Sequence, residues 1–288
     1  MLPHIYAPKP KQIIYHYTTV SAAKSIIESG KIWLSDFEKT NDSTEFKYAR
    51  DAFVGCMSSI NGSNMFAAKI LVLNAVRSIN IHTKMMIGSF TTESDDLNQW
   101  IAYGDGGSGC VLGFDAKFIE QNCGVAMRRV CYGTEAVKQF AEISLGMLQN
   151  EFLVPIDELD QHKLDETRLL SQSVAADLFA FKHHAFRAEK EIRVSRIVLK
   201  GLRDNEYQDS IGHTAKGHKL KSIPIKSRNG KYGETSYLEL PTKDVRESAL
   251  VSIGFGPSTT VGSRETIAEA LKKSLSQVST WQSSIPYR

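Results

Sequence analysis

Apolar positions along this chain change period repeatedly, alternating between the two-residue repeat of strands and the three-to-four-residue repeat of helices. Ile13 to Thr18 reads as a short apolar strand. Ser21 opens a helix through an Ala-Ala-Lys-Ser-Ile-Ile run, and Gly30 ends it, since glycine readily takes the left-handed conformation that closes helices. Lys31 to Ser35 is a second strand. Asp42 to Cys56 and Phe66 to Ile79 follow as helices, the first with capping-box spacing between Asp42 and Glu45. Met85 to Phe90 is a strand, Asp95 to Tyr103 is helical, and Cys110 to Phe114 is a strand beyond the Gly104 to Gly109 turn. That turn lacks the lysine and the strand-then-helix setting of a phosphate-binding loop, so a plain mobile connection is expected.

The second half continues in the same manner. Val125 to Tyr132 alternates as a strand, Glu135 to Leu153 reads as a helix ended before Pro155, and a polar helix is expected from Glu158 to about His184. Glu191 to Val198 sets Ile192, Val194 and Ile197 between charged residues, a β-branched strand. Ser222 to Ile225 and Thr235 to Leu240 flank Asn229-Gly230, a hairpin signal with a turn longer than two residues. Ala249 to Phe255 is the final strand and Glu265 to Val278 the closing helix. No repeat or low-complexity linker divides the chain. The expected fold is therefore a single α+β domain over residues 1–288, with a largely antiparallel central sheet, open to a split, flanked by helices. Helical insertions are expected at about 42–84 and 135–184.

Composition narrows the function classes. Hydrophobic residues at 42% and charged residues at 23% are ordinary for a folded domain and disfavour disorder, collagen-like and coiled-coil readings. The formal charge of +3 does not point to a nucleic-acid coat, so nucleic acid is left open as a partner without being indicated. Basic residues do cluster locally, at 182 to 203 and again at 216 to 231, where an anionic, phosphate-bearing small ligand would be suited. Four cysteines, Cys56, Cys110, Cys123 and Cys131, form no CxxC pair and suit a reducing cytoplasm; Cys110 and Cys131 sit in strand-like runs as inert thiols. The opening residues lack a secretory pattern and no apolar run is long enough to span a bilayer, so a cytoplasmic protein with no membrane partner is expected.

Four stretches carry candidate chemistry. In Tyr15-His16-Tyr17-Thr18, His16 and Thr18 share one face of a strand, and the imidazole can donate to a ribose hydroxyl. In Phe186 to Val194, an extended backbone places Glu189, Glu191 and Arg193 on one face, where two close carboxylates raise each other's proton affinity. His183, His184 and Phe186 nearby suggest an enclosed setting for them. Ser89-Phe90-Thr91-Thr92 precedes Trp100 and Tyr103; Trp100 reads as core and Tyr103 as the ligand-facing aromatic. Asn41-Asp42 with Glu45 is explained by helix capping and is a secondary site. No HxxxH, HExxH or CxxC spacing links the histidines and carboxylates, so no metal is expected.

At these residues the sequence resembles the bacterial domain-of-unknown-function family number twenty-nine seventy-one. The resemblance runs through Tyr-His-Tyr-Thr, Asn41-Asp42 with Glu45, Ser89-Phe90, Trp100 with Tyr103, Gly113-Phe114, Glu189-Lys190-Glu191 with Arg193, Ile253 to Pro257 and Ile285 to Arg288. More distantly, the order of a strand histidine, a Ser-Phe-Thr-Thr strand, a helical tyrosine and a late strand opening with glutamate is similar to the ADP-ribosyltransferase superfamily. That resemblance implies an ADP-ribosyltransferase-like core with NAD as substrate. His16, Thr18, Ser89 and Arg193 would then bind NAD, Tyr103 would stack on nicotinamide, Glu191 would support the developing cation, and Glu189 would position the acceptor. The activity it implies is ADP-ribosyl transfer or NAD glycohydrolysis by a toxin or phage-defence effector, on an acceptor macromolecule the sequence does not identify. Two other readings stand beside it: a non-enzymatic module that binds a nucleotide or partner, and a metal-dependent nuclease built on Asp42, Glu45, Glu189 and Glu191.

Overall fold

The computed structural model describes residues 2–39, 44–59, 66–151, 161–201, 207–209, 213–214, 217–230, 233–243, 247–272 and 277–287. Strand β1 (Ile13–Thr18) leads into α1 (Val20–Ser29), whose N-cap Thr19 accepts from the Ala22 N–H and whose C-cap Gly30 is left-handed. Then come β2 (Lys31–Asp36), helices α2 (Glu45–Ser59) and α3 (Phe66–His82), and β3 (Thr83–Thr91). The capping position Asp42 lies outside the described residues. Helix α4 (Leu97–Tyr103) is started by the Asp96 carboxylate on the Gln99 N–H, and β4 (Cys110–Asp115) is followed by the short α5 (Ala116–Asn122).

Here the structure departs from the sequence pattern. The expected strand from Val125 is broken into β5 (Ala126–Arg129) and β6 (Cys131–Tyr132), which pair with different partners. After α6 (Thr134–Glu151), the polar helix is α7 (Gln161–Asp177), and it ends before His184. Asp177 is held there by His4 and by Arg128, each at 2.8 Å, and the following Phe179 and Phe181 turn into the core. A two-residue strand β7 (Phe181–Lys182) and a 3-10 turn over His184–Glu189 occupy the place of the helix end. Beyond β8 (Glu191–Lys200) and β9 (Tyr207–Asp209), the hairpin strands β10 (Ile225–Gly230) and β11 (Gly233–Pro241) pair up to Gly230 opposite Gly233, so Asn229-Gly230 belong to a strand. Strand β12 (Leu250–Phe255), helix α8 (Val261–Lys272) and β13 (Ser279–Gln282) complete the described chain.

Among the described residues, eleven strands form one open, mostly antiparallel sheet whose main path runs β10, β11, β2, β3, β1, β4, β12, β13. Its centre is the long pair β3–β8, registered from Thr83 opposite Leu199 to Thr91 opposite Glu191. Alternation along β3 sorts side chains to two layers. Met86 and Phe90 join the core under α1, α5 and α8, whereas Met85 and Ile87 face α2, α3, α6 and α7. The Gly104 to Gly109 turn, expected to be mobile, is pinned: Thr259 donates to the Ser108 and Gly109 carbonyls, and the Gly256 and Ser258 N–H groups donate to Gly109 and Gly107. Its glycines serve close approach, since a Cβ on Gly109 would lie 2.3 Å from the Thr18 carbonyl oxygen.

The helical layer converges on Phe140, which packs against Phe53, Phe181 and the buried ring of His4. Phe140→Ala is expected to remove about 3–5 kcal/mol of stability through transfer and cavity terms. Urea unfolding measures it, and a loss below about 1 kcal/mol would mean that this layer is not packed as described.

Candidate functional site

The sheet forks beside β3. On its edge away from β8, Met86 and Ile87 pair with Asp36 and Ser35 of β2, whereas Thr91 pairs with Tyr15 of β1. Between those pairings, Gly88, Ser89 and Phe90 face the gap where β1 and β2 diverge. The imidazole of His16 enters this gap, and its Nδ1 lies 2.9 Å from the Ser89 carbonyl oxygen. A side chain thus serves a backbone acceptor that the ladder leaves unpaired. A cavity of about 130 Å³ opens at the fork, walled by Tyr15, His16 and Tyr17 of β1 and by Ile87, Ser89 and Phe90 of β3.

Five charged side chains close the other side of the cavity. Glu191 and Arg193 alternate onto the same face of β8, and Arg193 grips Glu191 with two bonds, Nε to Oε1 at 2.9 Å and Nη2 to Oε2 at 3.0 Å. The same guanidinium reaches Glu45 at the start of α2, at 2.5 Å, and donates to the Phe179 carbonyl. Lys182 of β7 contacts Glu45 and Glu189 at 2.7 Å each and Glu191 at 3.6 Å. Three carboxylates against two cations leave one surplus negative charge. Burial pushes the Glu191 carboxyl up, but the charge and hydrogen bonds of Arg193, with Lys182 and the Ser89 hydroxyl at 2.7 Å, outweigh it and hold the group at about 2. The expectation that paired carboxylates raise each other's proton affinity is therefore corrected for Glu191: cations stand between them.

The remaining polar atoms are mostly acceptors. Burial lowers the proton affinity of His16, opposed by the Ser89 carbonyl, and a neutral ring that donates from Nδ1 presents Nε2 as an acceptor. The imidazole, expected to act as a donor, is thus set to accept at its free nitrogen. Gln99, which the sequence reading passed over, donates its amide to the Glu189 carbonyl at 3.0 Å and keeps its Oε1 as an acceptor. Tyr103 is 39% exposed and donates to Glu189 at 2.8 Å. Burial, then the Glu189 charge and hydrogen bond, push its phenol well up, so it stays protonated.

His16, Ser89, Tyr103, Glu189, Glu191 and Arg193 thus meet at one cavity, as does Glu45. Thr18 does not: it lies beyond the fork beside Cys110 of β4, next to the Gly109 turn. Arg193 is only 2% exposed and its guanidinium is committed to Glu191, Glu45 and Phe179, so it is a clamp and not a free anion ligand. Glu189 is not on the strand; left-handed Lys190 ends the 3-10 turn that carries it, and Tyr103 and Lys182 bring its carboxylate back. The enclosure expected from His183 and His184 is absent because both are exposed, and of the three Phe186 alone is half-buried, its ring against the Lys182 ammonium. Trp100 is core, its indole N–H donating to Asp95 at 2.7 Å. The sequence reading also missed Lys182, because a two-residue strand is too short to show a period inside a helical pattern.

Among the described residues no group of three or more histidines, cysteines, aspartates and glutamates is arranged to hold a metal ion. At the fork, the Lys182 ammonium stands where a cation shared by Glu45, Glu189 and Glu191 would sit. No described helix is long and apolar enough to cross a membrane.

Compared with known proteins, residues 99–194 match the family described as Protein of unknown function (DUF2971). The matched stretch holds Gln99, Tyr103, Lys182, Glu189, Glu191 and Arg193, while His16, Glu45 and Ser89 lie before it. No curated protein and no solved structure matches the chain significantly.

The charge network predicts a pH dependence. The carboxyl of Glu191 sits at about 2 in the folded protein, below its ordinary 4.5, so its ionised form stabilises the fold above the ordinary value. That contribution is lost as pH falls from 4.5 towards 2. Urea midpoints measured across this range are expected to fall less steeply for Glu191→Gln than for the wild type. The variant is also expected to be less stable at neutral pH, because Arg193 loses one of its two charged partners and keeps only Glu45. Parallel pH curves for the two proteins would contradict the clamp.

Proposed function

We propose, on the premise that this chain belongs with the DUF2971 proteins through residues 99–194, that it cleaves the bond between nicotinamide and ribose in NAD. The single observation that carries this reading is the meeting of His16, Tyr103 and Glu191 at one acceptor-rich cavity with a surplus negative charge. Such a cavity favours a cation that carries hydroxyls, and the nicotinamide riboside end of NAD is a pyridinium bearing a diol. At about 130 Å³ it is smaller than the ~300–1,000 Å³ of sites that enclose a whole drug-sized ligand. Only that end enters, and the diphosphate and adenosine lie outside.

The chain's own groups then act as follows. Tyr103 lies over the nicotinamide ring, His16 Nε2 accepts from a ribose hydroxyl, and Glu191 remains ionised beside C1′. As the C1′–N1 bond breaks, its electron pair neutralises the pyridinium, so the leaving group needs no proton. Positive charge moves to C1′ and the ring oxygen, where the fixed carboxylate of Glu191 stabilises it without reorganising. The oxygen of water, or a nucleophile on an acceptor macromolecule, bonds to C1′ and releases its proton to the surrounding water. Glu189, hydrogen-bonded to Tyr103, orients that nucleophile. Cytosolic NAD is the substrate this reading requires, and a toxin or phage-defence effector is the setting in which its loss would matter.

A second reading is favoured by one observation: both oxygens of Glu191 are already engaged, by Arg193 and Ser89. In that reading the cavity binds a nucleotide-type ligand without turnover. Incubation with NAD and chromatography of nicotinamide separates the two. The expected result is nicotinamide release by the wild type, lowered about a hundredfold or more in kcat by Glu191→Gln, with NAD affinity weakened by no more than about tenfold. NAD binding that survives in Glu191→Gln, with no turnover by the wild type, would select the binding module. Neither release, transfer nor calorimetric binding would overturn both.

A further inference from the structure

Lys221 and Lys226 of the basic run have no part in the fork, and in the fold they meet lysines from elsewhere. A second cavity, of about 500 Å³, opens where β2, α5, β8, β10 and β11 come together, and it shares no lining residue with the first. Lys31, Lys221, Lys226 and Lys243 surround it, with buried Arg196. Its lining has one carboxylate, Glu239, which holds Lys31 at 3.1 Å and Lys226 at 2.8 Å. Arg196 is paired with Asp209 at 2.6 Å. Five cations against these two carboxylates leave a charge of three, positive here and opposite in sign to the surplus at the fork.

Lys221 and Lys243 are exposed and, among the described residues, have no acidic partner. Gly30 helps seat Lys243: at φ 64° it ends α1, and a Cβ there would lie 2.2 Å from Lys243 Cδ. The aliphatic stem therefore lies across the glycine. Between the cations the wall is apolar, formed by Phe118, Ile223, Pro224 and Pro241. Cys123 is part of this wall and not a nucleophile, since it donates to the Pro241 carbonyl and burial pushes its thiol up to about 12.

We infer that this second cavity binds a nucleoside polyphosphate. An apolar wall suits a planar base and the unpaired lysines suit several phosphates, and the volume lies within the ~300–1,000 Å³ of small-molecule sites. The lysines ring a concavity, and the chain's net charge of +3 is small, so a single nucleotide fits better than a nucleic-acid strand, which is tracked by an extended basic face. The inference is independent of NAD cleavage, because it uses none of the same residues.

Calorimetry of the full chain with ATP as the probe tests it. ATP is expected to bind, tripolyphosphate more weakly and adenosine not measurably. Replacing both Lys221 and Lys243 by alanine is expected to weaken ATP binding at least about tenfold while leaving NAD behaviour and the thermal midpoint unchanged. Lys226→Gln supplies a second variant, with a smaller loss expected because Glu239 already shares that charge. Absence of ATP binding would overturn the inference, as would affinity unchanged by the double substitution or tripolyphosphate binding as tightly as ATP. Displacement of ATP by an equimolar single-stranded oligonucleotide would overturn it in favour of nucleic acid.

Discussion

The grip of Arg193 and Lys182 on Glu45, Glu189 and Glu191 is the interaction on which the site depends. It ties the start of α2 to three consecutive segments far along the chain: β7, the 3-10 turn and β8. Taking five charges out of water is costly, and a buried network of this kind is weak evidence for stability as such. What it provides is placement. With two cations shared among three carboxylates, no acid can move without leaving a cation under-compensated, so Glu191 is fixed as an anion at the edge of the cavity.

The fork in the sheet supplies the space. Strands β1 and β2 both pair with β3 but at different points along it, leaving Gly88 to Phe90 to face the gap. In that gap His16 takes the Ser89 carbonyl, while the Ser89 hydroxyl takes Glu191, so one residue holds both the imidazole and the carboxylate. Tyr103 is brought to the same place by α4, which is anchored through the buried Trp100 and the Asp95 contacts of Trp100 and Ser283. The constraint is geometric: the strands diverge only once past Ile87, and the polar groups converge where they do.

Much of this was legible from spacing. The strands β1, β2, β3, β4 and β8 follow from two-residue alternation and are found within a few residues of their expected limits. His16 and Glu191 stand out because they lie within and at the start of such strands, and Tyr103 because it ends a helical stretch beside a glycine-rich turn. The short elements escaped: β7, β9 and β13 are too brief to show a period, and α5 has only seven residues. Local pattern also failed wherever a distant partner decided the outcome. Asp177 stops α7 because His4 and Arg128 hold it, and Glu191 is depressed because Lys182 and Arg193 flank it. His4 and Arg128 lie far from Asp177 in sequence, and although Arg193 is two residues from Glu191, Lys182 reaches that carboxylate only through the chain reversal at the 3-10 turn.

The sign of the charge at the fork is the most exposed part of the account, because a cavity with a surplus anion should distinguish a cation from the same molecule without its charge. Calorimetric titration with nicotinamide riboside and with its uncharged dihydro form measures this directly. The expected result is at least about tenfold tighter binding of the oxidised, pyridinium form, a difference of about 1.4 kcal/mol, that shrinks in Glu191→Gln. Equal affinity for the two forms, or preference for the reduced one, would contradict it.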